Sequence, residues 1–171
     1  MSRTIEALPL YFQTCDKRIL TISSPCVKKL KRFRQIRPKA AEAGGVLLGR
    51  LSAISGDYSV DYVSSPQRSD RRARYSFYRS SAHNEIAVSY WKSSSGYGLY
   101  FGLWHTHPES SPVPSVTDID DWERSLRVSK YTGNSLFFLI VGKDDVGCWQ
   151  GSMSSDGVPL IEKLNSIIEG R

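Results

Sequence analysis

"HTHPESSPVPSVTDID", residues 105–120, places two histidines one residue apart, before a short Pro- and Ser-rich loop and several acidic residues. It follows the apolar run "GLYFGLW", and residues 98–107 together are predicted to form a strand. Pro108 ends this strand because proline cannot donate to a sheet ladder. Alternate residues of a strand face the same side, so the imidazoles of His105 and His107 should project together. The stretch therefore predicts a strand end that presents two histidines on one face of a sheet.

The second half of the same stretch predicts a helix start. Ser115 suits an N-cap, and Asp118 lies three residues further on, the spacing of a capping-box variant. The seven intervening residues, 108–114, can bring Asp118 back beside the histidines. Two imidazoles and one carboxylate are a typical catalytic zinc set, which leaves the fourth position for water. On these residues alone, a capped helix and a zinc site both remain open.

The other elements are predicted from apolar periodicity and turn residues. Strands are predicted over 17–23, 44–54, 58–65, 135–142 and 146–153, in addition to 98–107. Helices are predicted over 24–36, with Ser24 as N-cap, and over 81–94, 115–130 and 159–170. Strands and helices interleave, which indicates a single domain over residues 1–171 of the α/β or α+β layered class.

Composition and charge limit the classes of function. The chain has 171 residues, is 40% hydrophobic and carries a formal charge of +6. The basic excess lies in residues 28–39 and 67–74, which fits either a solvated face or a surface for an acidic partner. Recognition-helix, zinc-finger and RNA-binding aromatic patterns are missing, so nucleic acid is not an expected partner.

The chain also lacks the signals of export and membrane insertion. Its three cysteines are too few and too scattered for a disulfide framework, and we expect them to be reduced. Apolar runs are shorter than the roughly 18 residues that a membrane span needs. The N-terminal "MSRTIEALPL" has no apolar signal-peptide core. These features predict a cytoplasmic protein with no membrane partner.

The full spacing H-x-H-x7-S-x-x-D resembles the JAMM motif of the JAB/MPN metalloprotease family. An upstream glutamate at the head of a strand belongs to the same pattern, and "EAGGVLLG", residues 42–49, matches it. The resemblance covers about residues 15–155. It implies one JAB/MPN domain, a mixed β-sheet flanked by helices of the cytidine deaminase-like kind.

The resemblance implies a role for each residue of the motif. His105, His107 and Asp118 would bind one Zn²⁺ per chain, with water as the fourth ligand. Glu42 would activate the water and later protonate the leaving amine, and Ser115 would hydrogen-bond the oxyanion. A cap and an oxyanion donor compete for the same Ser115 hydroxyl, and the sequence does not divide it between them.

The basic segment "RSDRRARYSFYRSS", residues 68–81, is similar to that of the stand-alone JAB isopeptidases found in CBASS anti-phage operons. The implied function is zinc-dependent cleavage after the C-terminus of a conjugated cyclic-oligonucleotide synthase (CD-NTase), which frees it from its targets. One alternative is a JAB peptidase that processes a ubiquitin-like or sulfur-carrier protein outside defence. Another is a non-catalytic MPN-type binding scaffold.

The same resemblance implies partners: the C-terminal tail of the conjugated substrate and, in the same pathway, E1- and E2-like conjugation enzymes. We expect the tail to add as a strand at an exposed sheet edge near the site. Arg68, Arg71, Arg72 and Arg74 are candidates for contact with an acidic partner. His83 is predicted to be a surface or packing residue rather than a ligand. Phe101 and Trp104 are candidate core residues, with Trp104 on the face opposite His105.

Overall fold

The computed structural model describes residues 7–167, and its centre is a nine-stranded mixed sheet. In chain order the strands are β1 (Leu10–Gln13), β2 (Ile19–Ile22), β3 (Gly44–Leu51), β4 (Tyr58–Val63), β5 (Arg71–Ala73), β6 (Ser76–Tyr78), β7 (Leu99–Thr106), β8 (Ser135–Val141), β9 (Val146–Met153), β10 (Pro159–Lys163) and β11 (Asn165–Ser166). The sheet order is β10-β9-β8-β7-β3-β4-β2-β1-β11, and β5 and β6 form a separate hairpin. The pairs β2–β4 and β7–β8 are parallel.

Three helices cover the two faces of this sheet. They are α1 (Ser24–Arg32), α2 (Ala82–Ser93) and α3 (Val116–Val128). α1 packs into one apolar cluster, the α1-side core. α2 and α3 pack into a second cluster on the opposite face, the α3-side core. The predicted layered class is therefore confirmed. No helix within residues 7–167 is long and apolar enough to cross a membrane.

α1 shows why the sequence forms a helix here and why it stops early. Pro25 occupies the first turn, where its missing N–H costs nothing, and the N-cap is Ser23 rather than the predicted Ser24. Cys26, Val27 and Leu30 are buried at helical spacing. The helix ends at Arg32, four residues before the predicted end.

The C-terminal segment corrects one prediction. Residues 159–167 are not helical: β10 pairs antiparallel with β9, and β11 pairs with β1. Gly157, whose φ of +76° lies in the left-handed region, helps to close the β9–β10 hairpin. Between the two strands Leu164 is buried against the α1-side core. The ladder and this anchor outweigh local helical periodicity, and residues 168–170 of the prediction lie outside the described residues.

Two further elements were not predicted. β1 lies between β2 and β11, and the arginine-rich segment contains the β5–β6 hairpin. The hairpin strands have only three residues each and are mostly exposed, so they lack the apolar alternation that marks a strand.

A bulge in β7 sets which side chains face the site. The register between β3 and β7 passes from Gly102 to Tyr100 and leaves Phe101 unpaired. Phe101 and Trp104 therefore both lie in the α1-side core, while Leu103 lies in the α3-side core. Gly102 adopts φ +137°, and a Cβ there would lie 1.9 Å from the Phe137 carbonyl oxygen. The core positions predicted for Phe101 and Trp104 are confirmed.

Candidate metal centre

The three predicted ligands converge on one point beyond the end of β7. His105 Nε2 lies 3.0 Å from His107 Nε2 and 3.0 Å from Asp118 Oδ1. His107 Nε2 lies 3.2 Å from Asp118 Oδ2. Both histidines are buried, and the three donor atoms lie within 4.8 Å of one another. The structure therefore brings together the residues that the sequence separates by up to 13 positions.

Backbone pairing holds the end of β7 in place. The Thr106 N–H donates to the Ala43 carbonyl, and the His107 N–H donates to the Val141 carbonyl. Pro108 follows directly, and the chain leaves the sheet as predicted. Both histidines thus come from backbone that is bonded to a neighbouring strand on either side, which limits their movement.

Packing of α3 places Asp118. Trp122, one turn further along α3, is buried and stacks on Phe138 with ring centroids 4.7 Å apart. The His105 ring lies 6.4 Å from the Trp122 ring. Because residues four apart share a helix face, the contact that anchors Trp122 also directs Asp118 toward the histidines.

Ser115 and Asp118 form a complete capping box at the start of α3. The Asp118 N–H donates to Ser115 Oγ at 3.1 Å, and the Ser115 N–H donates to Asp118 Oδ2 at 2.6 Å. The Ser115 hydroxyl also donates to Asp118 Oδ2, at 2.8 Å. The predicted N-cap is confirmed. In this structure the hydroxyl proton of Ser115 orients the Asp118 carboxylate.

Glu42 lies across from His107. β3 and β7 pair Gly44 with His105, and continuing this antiparallel register by two residues sets Glu42 beside His107. The Glu42 N–H donates to the Ala73 carbonyl of β5, and Arg72 Nε donates to the Glu42 carbonyl at 2.6 Å. Glu42 is only 5% exposed. The head of β3 is thereby fixed between β7 and the hairpin.

Burial makes Glu42 a weaker acid than an ordinary glutamate. Its pKa rises to about 7, chiefly through burial, and the charges of Asp118 and Glu109 add to the rise. The nearby His107 works in the opposite direction. A carboxyl group with this pKa can both accept and release a proton near neutral pH, as a general base and acid must.

The other site groups titrate as a coupled set. Burial alone would raise the pKa of Asp118, but hydrogen bonds from His105 and His107 outweigh it and hold that pKa well below its usual range. Burial also lowers the pKa of His105. The pKa of His107 is raised, because the Asp118 carboxylate outweighs the opposing effect of burial. An ionised Asp118 and a neutral His105 are the forms that bind a metal.

A zinc ion fits this set of donors. Two imidazole nitrogens and one carboxylate match the ligands of catalytic zinc sites, and all three point at a common centre. The Nδ1 atom of His107 is buried and lacks a hydrogen-bond partner within the described part of the chain. Its Nε2 faces the other two donors, the orientation of a metal-binding imidazole.

Several residues that support the site were missed. Gln35, 1% exposed, accepts from Thr106 Oγ1 and donates to the Ala40 and Arg74 carbonyls. Arg79 donates to the Gly45 and Trp104 carbonyls, so it links β3 to β7 beside the histidines. Both act between segments that are distant in sequence, and local patterns carry no signal for such contacts.

His83 is a packing residue, fully buried in a polar network rather than on the surface. Its Nδ1 lies 2.7 Å from Ser64 Oγ, and its Nε2 lies 2.9 Å from Asp70 Oδ2. Asp70 also accepts from the Ser80 N–H, and Ser64 Oγ accepts from the Val46 N–H. The network therefore ties both ends of the hairpin segment to β3. His83 is not part of the three-residue metal group, as predicted.

Comparison with known proteins agrees with this geometry. Residues 30–152 match the family described as prokaryotic homologs of the JAB domain. The chain belongs to this family. The metal-centre residues His105, His107 and Asp118 and the glutamate at position 42 all lie within the matched range.

Three curated relatives of this JAB protein carry the same name, CD-NTase/cGAS isopeptidase. The protein from Vibrio cholerae serotype O1 is 31% identical over 92% of this chain and 96% of its own length. The Escherichia coli protein is 31% identical over 84% of this chain and 88% of its own. The Pseudomonas aeruginosa protein is 31% identical over 82% of this chain and 91% of its own.

A solved structure shares the fold. The solution structure of a protein from Desulfitobacterium hafniense matches with a TM-score of 0.50 and 23% identity, over 80% of this chain and 82% of that one. At this identity the likeness concerns the fold alone. It agrees with the layered sheet and three helices of the JAB domain described above.

Proposed function

We propose that this JAB protein is a zinc-dependent isopeptidase that cleaves after the C-terminus of a conjugated CD-NTase in CBASS anti-phage defence. The observation that carries the proposal is the convergence of His105, His107 and Asp118 beside a buried glutamate whose pKa is about 7. Relatives at 31% identity, which align with most of their length, are named CD-NTase/cGAS isopeptidases. Their name supports the substrate, and the family supports a hydrolase.

The protein's own residues supply the binding and proton-transfer steps. Zinc held by His105, His107 and Asp118 would polarise the scissile carbonyl and lower the pKa of a water toward ~7. Glu42, in its ionised form, accepts a proton from the attacking water. It then delivers this proton to the departing amine, so the carboxyl group ends the cycle as it began.

Ser115 supports the reaction in two ways under this proposal. Its hydroxyl orients the Asp118 carboxylate, which keeps that ligand directed at the centre. During the reaction the same hydroxyl can turn toward the oxyanion, a contact that stabilises developing charge. This second role requires the Ser115–Asp118 bond to open, and the capping bond from the Asp118 N–H remains available to hold the residue.

The substrate tail is proposed to bind along β6. Within residues 7–167, β6 pairs only with β5, so its outer edge is open to an added strand. The hairpin reaches the site directly, because the Ala73 carbonyl accepts from the Glu42 N–H. By contrast, the edge strands of the main sheet, β10 and β11, are separated from β7 and β3 by two or more strands.

Conjugation enzymes of the E1 and E2 type, acting in the same cytoplasmic pathway, would form the bonds that this protein cleaves. The tail arrangement is tested by a complex of the Glu42→Ala variant with a conjugate. Backbone hydrogen bonds between the tail and residues 76–78 support the arrangement. A tail held only through side chains, or paired elsewhere, contradicts it.

The reaction itself is tested by mixing the protein with a CD-NTase conjugate, with and without a zinc chelator. We expect release of CD-NTase that ends at its native C-terminal residue, as identified by mass spectrometry. The chelator should stop the release, and added zinc should restore it. Cleavage of a sulfur-carrier or ubiquitin-like conjugate alone would instead favour a JAB peptidase outside defence.

A further inference from the structure

One nitrogen of the His107 ring, Nδ1, has no hydrogen-bond partner among the described residues. Its Nε2 atom faces His105 and Asp118, at 3.0 and 3.2 Å. If Nε2 gives its lone pair to a metal, the ring proton must lie on Nδ1. That atom is buried, and a buried N–H without an acceptor is destabilising. The ring therefore needs an acceptor on its second nitrogen.

Glu109 is placed to be this acceptor. Its Oε2 atom lies 3.1 Å from His107 Nδ1, at ion-pair distance but without the alignment of a hydrogen bond. The Glu109 side chain is 57% exposed, so a small rotation can align it without a packing cost. The carboxylate lies two residues after the histidine that it contacts, just beyond Pro108.

The loop that carries Glu109 is fixed by the turn between β8 and β9. The Lys143 N–H donates to the Glu109 carbonyl at 2.7 Å, and the Asp145 N–H donates to the Ser110 carbonyl at 3.1 Å. Ser111 Oγ donates to Asp145 Oδ2 at 2.6 Å. The backbone of Glu109 is thus held beside the histidine, although its side chain reaches solvent.

We infer that Glu109 is a positioning residue of the metal centre, whose carboxylate accepts the Nδ1 proton of His107 and directs its Nε2 lone pair toward the metal. The inference rests on the metal site of the proposed function, not on its substrate. A carboxylate behind a ligating imidazole fixes the ring orientation and raises its basicity. His105 differs in its surroundings, since its ring lies 6.4 Å from the Trp122 ring.

Metal affinity provides the test, with three variants compared with the native protein. Glu109→Ala removes the acceptor, and Glu109→Gln keeps an amide oxygen that accepts but carries no charge. Asp144→Asn removes a charge from the adjacent exposed turn, and within residues 7–167 the ion pairs of His107 are with Glu109 and Asp118, not with Asp144. The dissociation constant for zinc is measured by competition with a chromophoric chelator, and the visible spectrum is recorded after loading with cobalt.

We expect Glu109→Ala to weaken zinc binding about 10- to 100-fold, the range typical of lost outer-shell partners. Glu109→Gln should recover part of this loss, and Asp144→Asn should match the native protein. The cobalt bands should shift in Glu109→Ala and lie nearer the native position in Glu109→Gln. Because Glu109 is exposed, thermal unfolding of the metal-free variants should be unchanged.

Two results would overturn the inference. One is native zinc affinity and a native cobalt spectrum in Glu109→Ala. The other is equal weakening by Glu109→Ala and Asp144→Asn, which would assign the effect to net charge rather than to the contact. Neither result depends on cleavage. A protein that binds zinc but cleaves no conjugate would contradict the proposed function, whereas the zinc affinities of the Glu109 variants would still test this inference.

Discussion

Glu42 is a buried acidic residue that lies beside the candidate metal ligand His107. The residue is 5% exposed at the head of β3, and the pKa of its carboxyl group is raised from 4.5 to about 7. The folded state therefore binds this proton more strongly than the unfolded state does. The contribution of Glu42 to the free energy of unfolding is fully present below pH 4.5. It is lost as the pH rises toward 7, because the folded protein must then hold a buried charge.

The substitution Glu42→Gln should remove this pH dependence. Metal-free Glu42→Gln is expected to be about as stable as the native protein near pH 4.5 and more stable at pH 8, by roughly 1–3 kcal/mol. Urea unfolding at both pH values, in the presence of a chelator, measures the difference. Glu85→Gln, at an exposed position on α2, is the matched control and should show no such change. A Glu42→Gln variant that is less stable than the native protein at pH 8 would contradict the burial argument.

His83 should contribute to stability through the groups that it satisfies. Changing His83 to Ala leaves Asp70 and Ser64 without their buried partner, so we expect a loss of about 2–4 kcal/mol. Hydrogen exchange should accelerate across residues 67–80, which this network ties to β3. Asn84→Ala, at the next and exposed position of α2, should lose far less. Equal losses in the two variants would assign the effect to the helix rather than to the network.

At the scale of single residues, the sequence predicted the site best where its members lie close together. His105, His107, Ser115 and Asp118 share one stretch, so strand parity and a capping box indicate their placement. Glu42 depended on resemblance, because the β3–β7 pairing that places it is long-range. Gln35 and Arg79 were missed as supporting residues, since their roles depend on which distant segments meet. Glu109 was missed although it lies two residues from His107, because its position depends on loop contacts with the turn between β8 and β9.

At the scale of elements, β7 and its bulge control the direction of the site. Gly102 is the residue that allows the bulge, since its φ is +137° and a Cβ would overlap the backbone of β8. Without the bulge the alternation along β7 would not place both Phe101 and Trp104 toward α1. The bulge thereby supports the packing that leaves His105 facing α3.

Gly102→Ala should therefore damage both stability and the metal centre. We expect a loss of about 2 kcal/mol or more, from strain in φ and from the overlap with Phe137, and weaker zinc binding. Gly133→Ala is the control, because Gly133 also has a positive φ, +85°, but has no atom within 4 Å of an added Cβ. Chemical unfolding and zinc titration of both variants measure the two effects. Similar losses in both would mean that φ alone, not the close approach to β8, decides the cost.

Element predictions succeeded where apolar periodicity agrees with tertiary pairing. The predicted strand over 146–153 has the observed bounds, and the helices over 81–94 and 115–130 differ from α2 and α3 by one or two residues at each end. The tail over 159–167 was wrong, because β9 and β1 supply ladder partners that a local pattern does not reveal. The β5–β6 hairpin was missed because its three-residue strands are mostly exposed and lack apolar alternation.

For the molecule as a whole, positively charged side chains and an open strand edge, that of β6, lie together at the β5–β6 hairpin. The formal charge is +6, and Arg71 and Arg74 lie over the rings of Tyr78 and Tyr75, with guanidinium-to-centroid distances of 4.4 and 5.4 Å. These contacts hold cationic groups beside the edge that is proposed to bind the tail. Arg72 instead contacts the head of β3, where its Nε donates to the Glu42 carbonyl.

The double variant Arg71→Ala/Arg74→Ala should raise the KM for the conjugate and flatten its dependence on salt, with little change in kcat. Fewer cations beside the tail weaken long-range attraction, which salt screens over about 10 Å at 0.1 M. Steady-state cleavage at several salt concentrations measures this. Lys92→Ala, on the exposed side of α2, should retain the native salt dependence. An unchanged KM at every salt concentration would indicate that these arginines form a solvated surface and do not attract the substrate.

The proposed mechanism assigns Glu42 as the base beside a zinc ion held by His105, His107 and Asp118. Its most direct test is cleavage of a CD-NTase conjugate by Glu42→Ala, with the zinc content of the same sample measured. We expect about one zinc per chain and loss of cleavage by at least about 100-fold, the lower end for general base catalysis. A Glu42→Ala variant that retains zinc and still cleaves at the native rate would show that Glu42 is not the base.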